Sequence, residues 1–364
     1  MHPEPRAPLA DPTLTRPDWL GDRHRDPSKL WLDKNENTDP ALAEVVAGLV
    51  RDLPKEAFRS YPELGDVYHK LADHLDCPPH QIVLAAGSEG AIRSTFDAYV
   101  NAGDTVLRTA PTYAMYAVYC RIYGAREAIV PYQPSDDGPR LDSEALIETI
   151  RRERPKLVCL PNPDSPTGTI LGKKVLRRVA DEALNAGSVM LIDEAYYPFY
   201  QETVLPWVAE YPNLIVTRTF DKAWGLAGFR IGCAVADEPV ARYLHKVRSG
   251  YEIPAVAVWM LEHMLDHVPE VYRSAQRLED GKAAFMSAMD RLGHRTYRSY
   301  GSFTHIGFDA RAEKIHQALN EIVLYRRDFS DPCLSGFSRF SATTPELFAS
   351  IIERVRSVHE RDVA

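Results

Sequence analysis

A lysine and an arginine frame one stretch of this chain, Thr219-Phe-Asp-Lys-Ala-Trp-Gly-Leu-Ala-Gly-Phe-Arg230, in which Lys222 and Arg230 flank a glycine-spaced turn. A lysine amine condenses with an aldehyde to give an imine, and a guanidinium holds a phosphate through paired, charge-assisted hydrogen bonds. The segment therefore has the chemistry to hold a phosphorylated aldehyde cofactor covalently. A lysine capping a strand end beside a packing loop is the plainer alternative, and the segment by itself does not choose.

Other candidates lie where apolar runs end. Asp193 closes Val-Met-Leu-Ile-Asp. A carboxylate in so apolar a setting needs a cation or hydrogen-bond donors to offset lost hydration, and a protonated pyridine nitrogen would serve. Its alternative is a cap on the next segment. Gly87-Ser88-Glu89-Gly90 follows a strand-like run and opens an amphipathic stretch. Its free amides and the Ser88 hydroxyl can face a phosphate at a helix N-terminus. Pro161-Asn-Pro-Asp-Ser-Pro-Thr-Gly168 is a turn-rich loop, and Tyr113 can lay an aromatic face on a planar ring or pack in the core. His263 and His267 have the spacing to share a metal, but no third ligand is evident and a solvated helix face accounts for them. No metal site is expected.

The elements that must position these residues alternate. Short apolar runs at 81–86, 104–108, 157–161, 189–193, 214–217 and 231–236 are separated by amphipathic stretches such as 89–100 and 174–186. This predicts an α/β fold with a mostly parallel sheet flanked by helices, and such sheets carry their working residues at the carboxyl ends of strands. From Pro254 to Leu292 apolar positions recur at helical steps through Val256, Met260, Met264, Ala283, Phe285 and Met289. Strands at 304–308, into Tyr325 and at 337–341, a helix over 312–321 and a terminal helix from Pro345 complete a smaller α+β domain. The expected division is an N-terminal arm over 1–42, a large domain over 43–250 and a small domain over 251–364. The opening residues are rich in Pro, Asp and Arg and lack periodicity, so the arm is expected to order against the small domain and a partner subunit.

Composition narrows the function. With 364 residues, 45% hydrophobic and 26% charged, the chain is long enough for two domains. No run approaches the ~20 apolar residues of a membrane span, and the start lacks the apolar stretch of a secretion signal. A soluble, cytoplasmic protein is expected. The net charge of -8 argues against nucleic-acid partners. The five cysteines form no close pair and read as reduced and mostly buried.

Taken in order, the Gly87 turn, the Tyr113 loop, the Pro161 to Gly168 loop, Asp193 and the Lys222 segment resemble the fold-type I pyridoxal-phosphate enzymes. The similarity is greatest to the histidinol-phosphate aminotransferase group within the class I/II aminotransferases and covers most of the chain. The resemblance implies pyridoxal 5'-phosphate as cofactor, held by Lys222 as an aldimine, with Lys222 also shuttling the substrate's alpha proton. It implies that Asp193 keeps the pyridine nitrogen protonated, Tyr196 donates to the phenolic oxygen and Tyr113 stacks on the ring. Gly87, Ser88, Glu89, Thr219 and Arg230 would surround the phosphate. Tyr61, in Arg59-Ser-Tyr-Pro62, would reach that phosphate from the neighbouring subunit of a homodimer. Arg339 would grip the substrate's acidic group, Arg326 would share a substrate phosphate, and Asn35, within Leu32-Asp-Lys-Asn-Glu-Asn37, would lie over the pocket.

Two positions depart from the family's pattern. Ser165 stands where many members carry an asparagine to the cofactor's phenolic oxygen, so Ser165 is expected to bond it through a water or Asn162 to take over. No tyrosine precedes Tyr61, so Trp19, Trp31 or His24 would replace the arm tyrosine that touches the substrate. The expected activity is a ping-pong transfer of an amino group between an amino acid with a second anionic group and a 2-oxo acid. The same cofactor chemistry supports decarboxylation of a phosphorylated amino acid, and a silent cofactor-binding regulator is the reading from another class.

Overall fold

Side chains along the central strands sort by parity into two apolar clusters, one on each face of a sheet. Ile82, Leu84, Val158, Leu160, Met190 and Ile192 fall in one cluster; Val83, Ala85, Leu157, Cys159, Val189 and Leu191 fall in the other. A sheet buried on both faces needs such continuous apolar runs, with helices covering each side. The computed structural model describes residues 5–12, 14, 25–327 and 329–363.

Among the described residues twelve strands run in chain order. β1 (Leu30–Leu32) belongs to the opening segment. The large sheet holds β2 (Ile82–Ala85), β3 (Thr105–Ala110), β4 (Arg126–Pro131), β5 (Leu157–Pro161), β6 (Val189–Asp193), β7 (Leu214–Thr219) and β8 (Gly232–Ala236). The small domain carries β9 (Arg295–Tyr297), β10 (Phe303–Gly307), β11 (Val323–Tyr325) and β12 (Phe337–Ser341). The large sheet has the order β2-β8-β7-β6-β5-β3-β4. β8 runs antiparallel to both neighbours and the other pairings are parallel. The expected mostly parallel α/β sheet is what forms.

β4 escaped the sequence reading. It is an edge strand whose Arg126, Glu127 and Pro131 interrupt any apolar alternation, and charges and proline on an edge deter further pairing. β9 and β1 are three residues each, too short to show a period.

The small domain pairs β10 with β9 and β12 in an antiparallel sheet, while β1 from the opening segment pairs in parallel with β11. Helix Ala255–Met264 packs into the large-sheet core, past the division expected near residue 250. The following helix, Val268–Arg291, joins both cores: Val271 belongs to the large cluster, whereas Phe285 and Met289 belong to the small one. Phe285 stacks on Phe348 at 4.4 Å and meets Phe340 edge-on at 5.2 Å. Truncating Phe285 to alanine should cost about 3–5 kcal/mol through lost burial and a residual cavity, read as a fall in denaturation midpoint. A midpoint unchanged within about 0.5 kcal/mol would mean the small core does not depend on this ring.

Candidate active site

Parallel register brings the ends of three strands together, with Pro161 beside Asp193 and Asp193 beside Thr217. The Asp193 carboxylate is buried at this edge. Thr217 donates to its Oδ1 at 2.9 Å and Tyr116, from helix Met115–Tyr123, donates to Oδ2 at 3.4 Å. Burial pushes Asp193 up to about 6 despite these hydroxyls and the Ala195 amide. A buried carboxylate of this kind favours a cation as its partner, and among the described residues no ion pair supplies one.

The Lys222 loop leaves the end of β7. Thr219 Oγ1 accepts the Asp221 amide at 3.1 Å, and the Asp221 carboxylate pairs with the Arg230 guanidinium. Arg230 holds φ +53°, a left-handed conformation that non-glycine residues adopt at a cost. Its guanidinium lies over Gly87, where an added Cβ would stand 2.9 Å from Arg230 Nη2. Gly232 in β8 lies so close to the Gly87 turn that an added Cβ would be 2.5 Å from the Gly87 carbonyl carbon and 2.7 Å from the Ser88 nitrogen. The missing side chains leave a cradle of free amides at the start of helix Gly87–Tyr99, faced by a guanidinium and the Thr219 loop.

A strip of backbone from the opening segment covers this edge. Lys222 Nζ donates to the Lys34 carbonyl at 2.8 Å, and Arg339 Nη2 donates to the Asp33 carbonyl at 3.0 Å. Asn35, at φ +58°, donates through Nδ2 to the Tyr196 hydroxyl at 2.9 Å and through its amide to Ser341 Oγ at 2.8 Å. The Ser165 side chain lies close enough to Tyr196 to oppose the rise that burial imposes on its phenol. Burial, then the neighbouring Arg339, lowers Lys222 to about 8, with Glu36 and Asp193 opposing. Burial likewise lowers Arg339 to about 10, and Arg326 adds to the effect.

The chain matches the family model "Aminotransferase class I and II" over residues 27–355. It is 31% identical over 309 residues to the histidinol-phosphate aminotransferase of Thermoanaerobacter sp. (strain X514), covering 84% of this chain and 86% of the relative. In fold it is similar to a putative histidinol-phosphate aminotransferase from Erwinia carotovora atroseptica, with TM-score 0.81, 23% identity and coverage of 92% and 97% of the two chains. It is also similar to the histidinol-phosphate aminotransferase of Sinorhizobium meliloti, solved with pyridoxal-5'-phosphate, with TM-score 0.76, 24% identity and coverage of 90% and 91%.

The chain belongs to the aminotransferase class I and II family.

As a member it is a transaminase, and its cofactor is pyridoxal 5'-phosphate. The site fits that group. The cationless Asp193 suits a protonated ring nitrogen, the glycine-lined cradle suits a phosphate, and the lowered Lys222 suits an aldehyde.

Several expected site residues also have partners within the chain. The Asn162 side chain is engaged in its own loop. Its amide group donates to the Leu171 carbonyl at 3.3 Å and accepts the Leu171 amide at 2.7 Å, bracing the loop. Ser165 is instead the loop residue at Tyr196. Glu89 turns its carboxylate to the hydroxyls of Tyr113 and Tyr119, so only its first-turn amide suits a phosphate. The acceptance fixes Tyr113, whose ring meets Tyr116 edge-on at 5.9 Å. Tyr61 is not in the pocket of its own chain: it is 71% exposed and stacks on Tyr251 at 4.0 Å. Trp31 points to the arm itself, donating to the Asp26 carbonyl, whereas Trp19 and His24 lie outside the described residues. His263 bonds the Trp259 carbonyl within one helix, and His267 lies in the next turn.

Sequence reasoning missed Thr217, Tyr116 and Asp221. Only Asp221 carried a local signal, as the acid next to Lys222 and within reach of Arg230. Because burial penalises the ammonium form, the Lys222 amine becomes neutral above about 8 rather than near its ordinary 10.5. In cofactor-free protein, acylation of Lys222 followed by peptide mass spectrometry should therefore rise with pH to a midpoint near 8. Arg339→Gln removes a like charge and should move that midpoint upward; a midpoint near that of surface lysines would refute the lowering of this amine.

Proposed function

We propose that this aminotransferase moves the amino group between a phosphate-bearing amine of the histidinol-phosphate kind and a 2-oxo acid, the two substrates alternating in one pocket by a ping-pong cycle. The observation that carries this reading is the pair Arg339 and Arg326. Their backbones exchange hydrogen bonds at 2.6 and 3.0 Å, which sets the two residues opposite each other, Arg339 buried and Arg326 exposed. Neither forms an ion pair with a carboxylate among the described residues. Two neighbouring cations with no direct ion pair favour a dianionic ligand. The histidinol-phosphate aminotransferase name of the 31% identical relative supports the same substrate class.

The bound cofactor supplies an aldehyde that receives the amine and a conjugated ring that takes up the electrons of the broken Cα–H bond. Asp193 answers charge at the ring nitrogen, and the Gly87 cradle with Arg230 and Thr219 anchors the phosphate. Tyr196 accepts from Asn35 and so keeps its own O–H free to donate toward the cofactor. Lys222, neutral above about 8, can carry the proton to and from the substrate's Cα. Arg339 and Arg326 orient the substrate's anionic end, and the opening segment keeps water off this edge.

The working unit in this reading is a homodimer. Tyr61 and Tyr251 form an exposed aromatic pair, Phe58 is 70% exposed, and such surface suits burial against a second copy. Sedimentation should give a dimer. Tyr61→Ala should weaken cofactor binding by roughly tenfold or more, the loss of one hydrogen bond to a charged group. A monomer of full cofactor affinity would sink this part.

The substrate class is tested by a half-reaction screen. Cofactor-loaded protein mixed with histidinol phosphate should bleach and release one equivalent of oxo product, and histidinol should react at least about tenfold less efficiently. Preference for uncharged amino acids would overturn the phosphate reading, and stoichiometric carbon dioxide from phosphothreonine would replace transamination with decarboxylation.

A further inference from the structure

A carboxylate met only by neutral groups is costly to bury, so the groups that compensate it show what it holds together. Asp164, in the loop after β5, is 1% exposed, and its side-chain partners are hydroxyls. Thr112 donates to Oδ1 at 2.7 Å, while Thr109 and Tyr132 donate to Oδ2 at 2.9 and 3.0 Å. The Ser165 amide lies close enough to favour the charged form, yet burial still pushes the acid up to about 7.

These donors come from separate segments that the sheet brings to one edge. In the strand order β5-β3-β4, Thr109 lies within β3, Thr112 in the loop that leaves it, and Tyr132 just beyond β4. Tyr132 donates its amide to the Ala110 carbonyl at 2.7 Å, and its hydroxyl accepts from Thr169 Oγ1 at 2.9 Å. The backbone of Asp164 closes its own loop: its amide donates to the Thr169 carbonyl at 2.9 Å, and its carbonyl accepts the Gly168 amide at 2.7 Å. One side chain thus fastens the loop after β3 to the loop after β5. Each loop carries, directly after its anchor, a residue expected at the cofactor, Tyr113 after Thr112 and Ser165 after Asp164. Two anchors hold Tyr113. Its hydroxyl donates to Glu89 at 3.1 Å, and its ring meets Tyr116, the donor to Asp193, edge-on. A ring held by its hydroxyl alone can still swing about that point; Thr112 holds the backbone end.

We propose that Asp164 is a positioning residue, clamping the Thr112-Tyr113 backbone to the Ser165 loop so that Tyr113 lies flat on the cofactor ring. The inference rests on the expected placement of Tyr113 against that ring and adds the residue that fixes its plane. Hydrogen-bond geometry carries the effect, not charge. An asparagine therefore keeps it: the amide oxygen accepts from Thr112, and the NH2 group donates to the hydroxyl oxygens of Thr109 and Tyr132.

The test reads the visible circular dichroism of the bound cofactor for the seating of its ring, cofactor dissociation constants for affinity, and denaturation midpoints of cofactor-free protein for stability. Thr112→Val cuts the link to the Tyr113 loop, whereas Thr109→Val removes a hydrogen bond of similar length to the same carboxylate from within β3. Both should lower the midpoint. Only Thr112→Val should change the dichroism and weaken cofactor binding by roughly threefold or more, about the net worth of one hydrogen bond. Asp164→Leu should act in the same direction more strongly, and Asp164→Asn should restore most of both readouts; the two threonine variants decide the matter should the leucine variant fold poorly. Midpoints that fall with dichroism and affinity unchanged assign Asp164 to packing and overturn the proposal. So does an Asp164→Asn protein that behaves like Asp164→Leu, or a Thr109→Val protein that matches Thr112→Val. The parent placement fails separately: unchanged dichroism in Tyr113→Leu takes Tyr113 off the ring, whereas dichroism that Tyr113→Leu alters and Thr112→Val does not refutes the role of Asp164 alone.

Discussion

A carboxylate held away from water without a cation is the constraint around which this site is organised. Asp193 ends a wholly buried strand, and two hydroxyls and an amide do not compensate its charge, so burial drives it toward the neutral form. A cationic ring nitrogen restores the balance, which makes cofactor binding and the electrostatics of the sheet edge one problem. The neighbouring strand ends follow from it. Thr217 and Pro161 flank Asp193 because parallel strands align their carboxyl ends, and the Lys222 loop begins where β7 leaves the same edge.

The opening segment ties the two chemical ends of the site together. Lys222 and Arg339 donate to the adjacent carbonyls of Lys34 and Asp33, while Asn35 bonds Tyr196 of the large domain and Ser341 of the small one. The left-handed backbone of Asn35 turns its amide and side chain to different domains. Asn37 continues the stitching to the Ala223 carbonyl and Ser274, and Asp39 caps the following helix while pairing with Arg277. The segment's place over the pocket is thereby set by hydrogen bonds to residues beside the large sheet and in the smaller antiparallel sheet.

Much of this was legible because doubly covered parallel strands leave strong marks. The runs at 157–161 and 189–193 coincide with β5 and β6, and 337–341 with β12. The chemistry at their ends was equally visible, since an aspartate closing an apolar run or a lysine beside a glycine-spaced turn is odd on its face. β4 was not, because an edge strand is selected for charge rather than alternation. The contacts of Asn162 were not legible for another reason: a side chain in a loop of prolines can turn either way, and only the closure of the loop on Leu171 decides.

The amino-acid sequence by itself determined the alternation of strands and helices, the family's order of loops, and which residues have the valence for imine, phosphate and carboxylate chemistry. These are properties of residue type and short spacing, and they survive translation into any frame. Tertiary structure alone decided the rest. Tyr116 reaches Asp193 across a helix crossing, Glu89 is claimed by two tyrosine hydroxyls, Ser165 meets Tyr196, and Asp164 gathers three hydroxyls at neighbouring strand ends. Each depends on which residues far apart in the chain share a face or an edge, and on the burial that changes a group's charge once they do, neither of which a linear pattern encodes.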